Sequence, residues 1–514
     1  MRQEGVPPTP TEGAPVLATS TGGAGVLATS GAGAAQAEAT VALPGLRLPR
    51  GRVLSVRRAI SGRTAGRAAL ATLILGALAL VVFDTAGPSV LVPRSNDVFP
   101  GWEAGPLHGL FGTLSASANT VNYSVSGLLI VMLLAYGVAV AAVRTLSMRA
   151  IAVCVVALHA ILLLEPPFQL TDAFNYLGYA RLGSLHGLNP YTHVIGQEMH
   201  DPVYYFSNWS NLHSPYGELF TALSYPLAWL PLPVAYWIVK VFTVLMSLGL
   251  IALVWDCARR LGRDPRFAVA LVALNPVYLV YAIGGFHNDF FMLVPSTAAI
   301  ALLLAGRDRA AGAALMLAVG VKFTAVLLLP FLMVATRSNR RRRELLVGAA
   351  LTVVPLAVLS LVLFGFSLPN LSQQSSLLTP YSIPDLFGYV IGAGGGTTFI
   401  LRLADVALVV AIVLLVRRRG DWLTHAGWAI VALIASLAWL MPWYVLWMLP
   451  LAALSSSVRL RRAAGVLTVY LVLTFMPVNS TVFGWLNFNP VRGAAWQASQ
   501  TLQNKLYWYQ PQAW

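Results

Sequence analysis

Nine apolar runs of about 16–25 residues dominate the chain, near 67–86, 124–143, 147–164, 232–255, 267–284, 289–305, 345–366, 398–416 and 463–477. A hydrocarbon core of about 30 Å is crossed by roughly 20 apolar residues in a helix. Inside lipid, a helix is one of the few structures that satisfies every backbone N–H and C=O within the segment. Composition agrees: only 10% of the 514 residues are charged and 57% are hydrophobic, whereas a soluble domain carries about 25% charged residues. The fold class these runs dictate is an all-α polytopic membrane protein.

The formal charge of +15 raises nucleic acid as a partner, and the positions of the charges exclude it. Arginines sit in short clusters between the apolar runs: Arg57, Arg58, Arg63 and Arg67; Arg144 and Arg149; Arg259, Arg260, Arg263 and Arg266; Arg307 and Arg309; Arg337 and Arg340 to Arg343; Arg417 to Arg419; Arg459, Arg461 and Arg462. Such clusters mark cytoplasmic loops, and placing all of them there gives a multi-pass plasma-membrane protein with a cytoplasmic N-terminus. The segments 310–336 and 425–457 then carry arginine at both ends, so each crosses an even number of times while being too short for two full spans. Both are expected to be short helical hairpins, broken near Gly320-Val321-Lys322 and near Met441-Pro442-Trp443, because Pro and Gly interrupt membrane helices where protein or a cavity satisfies the backbone. Counting each hairpin as two gives about 11–13 transmembrane helices.

The external loops become 87–123, 165–231, 285–288, 367–397 and 478–514. Residues 1–60 read as a disordered cytoplasmic tail, rich in Gly, Ala, Thr, Ser and Pro, with a short duplication beginning at Val16 and Val26. It lacks the pattern of a cleaved signal peptide, so the first span is expected to act as an uncleaved anchor. Residues 61–480 form the membrane domain and 481–514 an external C-terminal segment. Cys154 and Cys257 lie in or beside apolar segments and are not expected to pair, and no cysteine-based metal site is available.

The largest external loop, 165–231, holds Glu165, Asp172, Glu198, Asp201 and Glu218 against the lone Arg181, with His186, His193, His200 and His213 among many aromatics. The histidine spacings match no standard ligand motif, so no metal site is expected. Its end, Ser214 to Leu230, reads as an amphipathic or re-entrant helix at the interface. Asp172 follows the third span by about eight residues, and Asp172, Tyr176 and Tyr179 share one helical face. A carboxylate beside aromatic rings suits a sugar site: the acid takes a proton from an attacking hydroxyl while rings pack on the pyranose. Equally, Asp172 can cap a helix. Gly284-Gly285-Phe286-His287-Asn288-Asp289 forms a very short turn whose polar groups can bind a hydroxyl or phosphate, or whose Asp289 can cap the next helix. Lys322 interrupts an apolar hairpin, as a phosphate partner or as a snorkelling anchor. His213, Tyr216 and Glu218 are candidates for the same cavity. Arg402 is a second phosphate candidate or an interfacial anchor.

At these residues the chain resembles the membrane-embedded GT-C glycosyltransferases. Within them it is most similar to the actinobacterial polyprenol-phosphate-mannose-dependent alpha-1,6-mannosyltransferases. The carrying motifs are Asp172-Ala-Phe-Asn-Tyr176 with Gly178, Gly187-Leu-Asn189-Pro190-Tyr191, Ser214-Pro-Tyr216-Gly217, Asn275-Pro276 with Gly285-Phe-His287-Asn288-Asp289, and Lys322-Phe-Thr, within roughly residues 65–480. The resemblance implies a GT-C-like fold and an inverting transfer of a sugar from a polyprenyl-phosphate donor to a lipid-anchored or polysaccharide acceptor, such as a glycolipid or mannan, on the outer face of the membrane. It implies mannose as that sugar and no cofactor beyond the lipid-linked donor. It puts Asp172 in the role of general base and Lys322, His287 and Arg402 near the donor phosphate. The family often shows two adjacent acids where this chain has Asp172 alone, which keeps Asp97, Glu103 and Glu218 as rival bases. A lipid-linked sugar transporter or flippase, a glycan ligase and a non-catalytic membrane scaffold remain the competing readings. The chain shows no internal repeat of the kind many transporters carry.

Overall fold

The structure is a computed structural model that describes residues 50–86, 100–112, 116–168, 171–369 and 372–507. The chain divides into Met1–Arg58 and Ala59–Trp514. Most of the expected tail, and Asp97, lie outside the described residues. The helical fold is that of the second unit.

Among the described residues every regular element is helical. In chain order the principal elements are α1 (Arg50–Thr85), α2 (Ala118–Ala141), α3 (Met148–Leu164), α4 (Ala173–Ser184), α5 (Glu218–Ser224), α6 (Leu232–Arg260), α7 (Pro265–Ala273), α8 (Asp289–Leu304), α9 (Asp308–Val321), α10 (Asn339–Phe364), α11 (Thr398–Arg417), α12 (Trp422–Ser436), α13 (Val458–Phe475) and α14 (Ala494–Leu506). Helices that start beside the arginine clusters begin on side-chain caps: Ser147, Asp264, Ser338, Asp421 and Ser457 each accept a backbone N–H of the first turn. Among the described residues five helices are long and apolar enough to cross a membrane, or up to seven if two bent pairs each count as one span, and five further apolar helices are shorter. The expected 11–13 crossings therefore require the short and broken helices to be counted as crossings. On α10 and α11 the apolar side chains face outward, with Val362 73% and Phe399 75% exposed. Such surfaces are stable against lipid, which asks no hydrophobic penalty of them. Cys154 and Cys257 are buried and unpaired.

Both expected hairpin breaks are present. Lys322 is extended (φ −153°, ψ 118°) after α9, and a 3₁₀ turn, Phe323–Leu328, follows. After α12 the chain runs extended through Met441 (φ −115°, ψ 149°) into the 3₁₀ turn Pro442–Trp447. Two further breaks differ from expectation. The run 267–284 is not one helix: α7 stops, and a wide turn, Val277–Ile283, continues at 50°. Pro276 supplies no N–H, and the Asn275 carboxamide accepts from Val277 N and Tyr278 N instead. The run ending near 477 continues as Asn479–Trp485 after a 94° bend. The amphipathic helix expected over 214–230 is two shorter pieces, α5 and the 3₁₀ turn Tyr225–Trp229, with Pro226 at the junction. Its leading residues, Ser214 to Gly217, are not helical. Gly217 N bonds to Val321 O at 3.1 Å, and a Cβ on Gly217 would lie 2.2 Å from Gly320 O. Only glycine lets the loop touch the hairpin tip this closely.

Within the large loop, Asp201 is a staple. It takes Arg181 Nε of α4 at 2.7 Å and His186 Nε2 at 2.8 Å, while Arg181 Nη1 donates to Ala228 O. Burial alone would raise the Asp201 carboxyl, but hydrogen bonds from Arg181 and His186 outweigh it and leave the pKa below the ordinary value. A depressed carboxyl stabilises the fold fully above the unfolded pKa of about 3.9 and loses that contribution as pH falls through the folded value. Nicking of residues 185–213 by pepsin is expected to accelerate as pH falls from about 5 to about 2.5. Asp201→Asn is expected to be nicked fast already at the upper pH, with a flatter profile.

Candidate active site

Asp172 occupies the N-cap position of α4 but makes no side-chain cap hydrogen bond. Thr171 takes that role: its Oγ1 accepts from Ala173 N and donates to Gly285 O. The Asp172 carboxylate, 22% exposed, is left pointing into a cavity. The capping alternative for Asp172 therefore fails. Asp289 fails it as well. Asn288 is the N-cap of α8, without a cap bond, and Asp289 Oδ1 instead accepts from Lys322 Nζ at 2.8 Å and from Trp447 Nε1.

The turn that carries His287 is held from below. Phe168 N donates to Gly284 O, and Asn288 N donates to Tyr176 Oη at 2.9 Å. Phe286 stands at φ 55°, a left-handed conformation that costs a non-glycine residue about 1–3 kcal/mol. Its ring lies 5.0 Å from the Lys240 ammonium, and Lys240 in turn donates to Glu165 O. The result is a fully buried His287 ring, stacked on Trp443 with centroids 3.4 Å apart and planes 16° apart. His287 Nδ1 lies 3.4 Å from Asp172 Oδ2. Neither ring nitrogen has a hydrogen-bond partner among the described residues, nor do Asn288 Nδ2 and Asp289 Oδ2. His287, Asn288 and Asp289 are buried behind the wall of the cavity and do not line it, whereas Asp172 and Lys322 do.

The cavity has a volume of about 100 Å³, smaller than is usual for small-molecule sites. Asp172, Tyr179, Tyr216 and Lys322 line it together with Trp209, Trp439, Trp443, Tyr444 and Tyr507. Lys322 Nζ sits over the Tyr444 ring at 5.5 Å and the Trp447 ring at 5.3 Å. Tyr507 stacks on Trp209 at 4.2 Å, and Trp439 meets Trp209 edge-on at 5.7 Å. Burial first, and then the Asp172 charge, hold the Tyr179 and Tyr216 phenols well above their ordinary pKa. They remain neutral donors, and Tyr179 Oη donates to Leu212 O.

Other sequence candidates lie outside this cavity. Tyr176 is buried beneath it, packed edge-on against Tyr216. Asn189 donates to Phe364 O, and Tyr191 donates to Tyr216 O and Thr221 Oγ1, so both brace the loop. His213 and Glu218 do not line it. Arg402 is on α11 and does not reach it; one turn inside an outward-facing helix, its side chain has no route to the interior. Among the rival bases Glu103 is buried, with its pKa pushed up to about 8 by desolvation against the opposing Lys240, and is absent from the cavity wall. The five aromatics from Trp209 to Tyr507 had no sequence signal except Trp443 and Tyr444, which adjoin the Pro442 break. Among the described residues no group of three His, Cys, Asp or Glu could hold a metal ion.

Comparison with known proteins gives a consistent picture. Residues 70–338 match the family described as "Alpha-(1->6)-mannopyranosyltransferase, N-terminal domain", and residues 215–477 match "Glycosyltransferase family 87". The chain is 30% identical to alpha-(1->6)-mannopyranosyltransferase A of Mycobacterium tuberculosis over 64% of this chain and 70% of that protein. It is 26% identical to alpha-(1->6)-mannopyranosyltransferase A of Corynebacterium glutamicum over 45% of this chain and 52% of that protein. No solved structure matches the chain significantly.

The Lys322–Asp289 pair is expected to be a structural tie. Lys322→Met leaves a 1% exposed carboxylate without its cation, a loss of roughly 3 kcal/mol, at the low end of the buried-pair range because Lys322 faces the cavity. Thermal unfolding of the detergent-solubilised protein is expected to show a clear drop for Lys322→Met. Most of it should return in Lys322→Met/Asp289→Asn, which removes both charges.

Proposed function

The chain belongs to the alpha-(1->6)-mannopyranosyltransferase family and is a glycosyltransferase, and on that premise we propose that it transfers mannose from a polyprenyl-phosphate donor to a mannan or glycolipid acceptor at the outer face of the membrane. The observation that carries this reading is the Asp172 carboxylate, uncapped at the start of α4 and opening into an aromatic-walled cavity. In the transfer, Asp172 takes the proton of an acceptor hydroxyl as that oxygen bonds to the anomeric carbon. The bond from that carbon to the phosphate oxygen breaks, its electron pair leaves on the polyprenyl phosphate, and the configuration inverts.

A single displacement requires base and leaving group on opposite faces of the sugar. A ring 3.4 Å from Asp172 is badly placed for the leaving phosphate and well placed for the base. His287 therefore packs beside the base, and the phosphate falls to Lys322, whose ammonium reaches the cavity while remaining tied to Asp289. The aromatic walls supply flat apolar faces for the pyranose rings. Arginine clusters at the opposite ends of the helices support a cytoplasmic location for those ends, which leaves the cavity outside. There the donor tail stays in lipid while the glycan stays in water. The alpha-1,6 linkage rests on the names of the relatives.

The test is transfer of labelled mannose from polyprenyl-phosphate mannose to a mannoside acceptor, by membranes carrying matched amounts of each variant. Asp172→Asn is expected to lose about 10²–10⁴-fold in rate. His287→Ala is expected to lose less, because the carboxylate stays in place and only the ring packed beside it is removed. Full activity in Asp172→Asn would move the base to another carboxylate, Asp97 first, and no transfer by the wild-type protein would overturn the reading.

A further inference from the structure

The ends of the helices farthest from Asp172 carry two basic clefts, and they differ in one respect. In the cleft between α8–α9 and α10, Arg309 pairs with Glu344 and Arg341 takes both oxygens of Asp308. Arg307 and Arg340 also line it and make no ion pair among the described residues, but none of its arginine nitrogens is buried without a partner there. The second cleft, of about 430 Å³, is formed by Arg144 from the α2–α3 turn, Arg263 from the α6–α7 turn, Phe267 of α7, Ser455 and Ser456 before α13, and Arg461 of α13. Its two acids are already engaged. Asp264 is held at both oxygens by Arg266, at 3.1 Å each. Asp421 Oδ2 accepts from Ser456 N, Ser456 Oγ and Thr424 Oγ1, all within 3.0 Å, and Arg263 Nη2 reaches it only at 3.3 Å.

Arg263 Nη1 is consequently buried without a hydrogen-bond partner. Arg461 lies over the Phe267 ring at 5.2 Å and reaches only Ser455 O, at 3.5 Å. No ion pair to Arg144 or Arg461 exists among the described residues. A concave site lined by three guanidinium groups, one of them with a buried nitrogen that has no partner, has the chemistry of a tetrahedral oxyanion receptor. Val143, Phe267 and Ala453 complete it with apolar wall. It lies where α3 and α13 begin and α6 ends, among the arginines that flank the apolar helices. We propose that this cleft binds the phosphate of a lipid headgroup, at the opposite end of the bundle from the Asp172 cavity. α6 alone, with 29 residues, separates the two ends by about 43 Å, so the site is distinct from that of a sugar donor, and the inference does not depend on the transfer reaction.

The experiment titrates purified full-length protein, in phosphatidylcholine nanodiscs, with phosphatidylglycerol and counts retained lipid by native mass spectrometry. Wild-type protein is expected to prefer phosphatidylglycerol over phosphatidylcholine, and Arg263→Gln/Arg461→Gln to weaken retention by at least about tenfold, the loss of charged hydrogen bonds to phosphate. Arg144→Gln, at an exposed position where the fold is not at risk, is expected to weaken it severalfold and decides the matter if the double variant does not fold. Arg309→Gln, at an arginine of the other cleft that is already paired with Glu344, is expected to change nothing. Soluble glycerol phosphate added as competitor separates the sources: displacement of lipid at equal concentration means a receptor for phosphate from either source, and no displacement means a receptor for the headgroup within the membrane. Retention unchanged in both the double variant and Arg144→Gln, or reduced equally by variants in the two clefts, would overturn the proposal.

Discussion

One carboxylate holds the site together. Asp289, at the first turn of α8, accepts from Lys322 at the break after α9 and from Trp447 in the broken hairpin after α12. Three segments far apart in sequence thus meet on a single side chain. Helix breaks inside a membrane protein leave backbone groups that lipid cannot satisfy, so they persist only where other protein groups or a cavity take them up. Gathering the breaks in one place solves that problem once and creates a polar hollow within an apolar bundle.

The same gathering explains why the hollow is suited to chemistry. Trp443 follows Pro442 at one break and covers His287 from another, fixing the imidazole against Asp172. Lys322 brings a cation already balanced by Asp289, so the apolar surroundings tolerate it. The strained Phe286 and the ammonium of Lys240 beneath it show where stability elsewhere is set against local strain.

Much of this was legible in the sequence. Apolar runs and arginine clusters located the helices, and the parity of the arginines located both broken hairpins. Asp172, His287, Asn288, Asp289 and Lys322 do come together. What sequence could not show is tertiary. Stacking of Tyr507 on Trp209, or of Trp443 on His287, has no local periodicity. Asn189 and Tyr191 stand in a motif of the family yet brace the loop through Phe364 and Tyr216. Arg402 carried the right charge on the wrong side of its helix. Asn275-Pro276 does mark the break within 267–284, but the apolar residues on both sides of it, buried like the break itself, masked that signal.

The position of a lipid-linked sugar decides the mechanism, and a cryo-electron microscopy structure of the Asp172→Asn protein with polyprenyl-phosphate mannose tests that position most directly. The expected result is a mannosyl ring against the aromatic wall of the Asp172 cavity, its phosphate at Lys322, and its tail leaving toward lipid, with residue 172 on the opposite face of the ring. A phosphate found beside His287 on the same face as residue 172, or a donor bound away from this cavity, would contradict it.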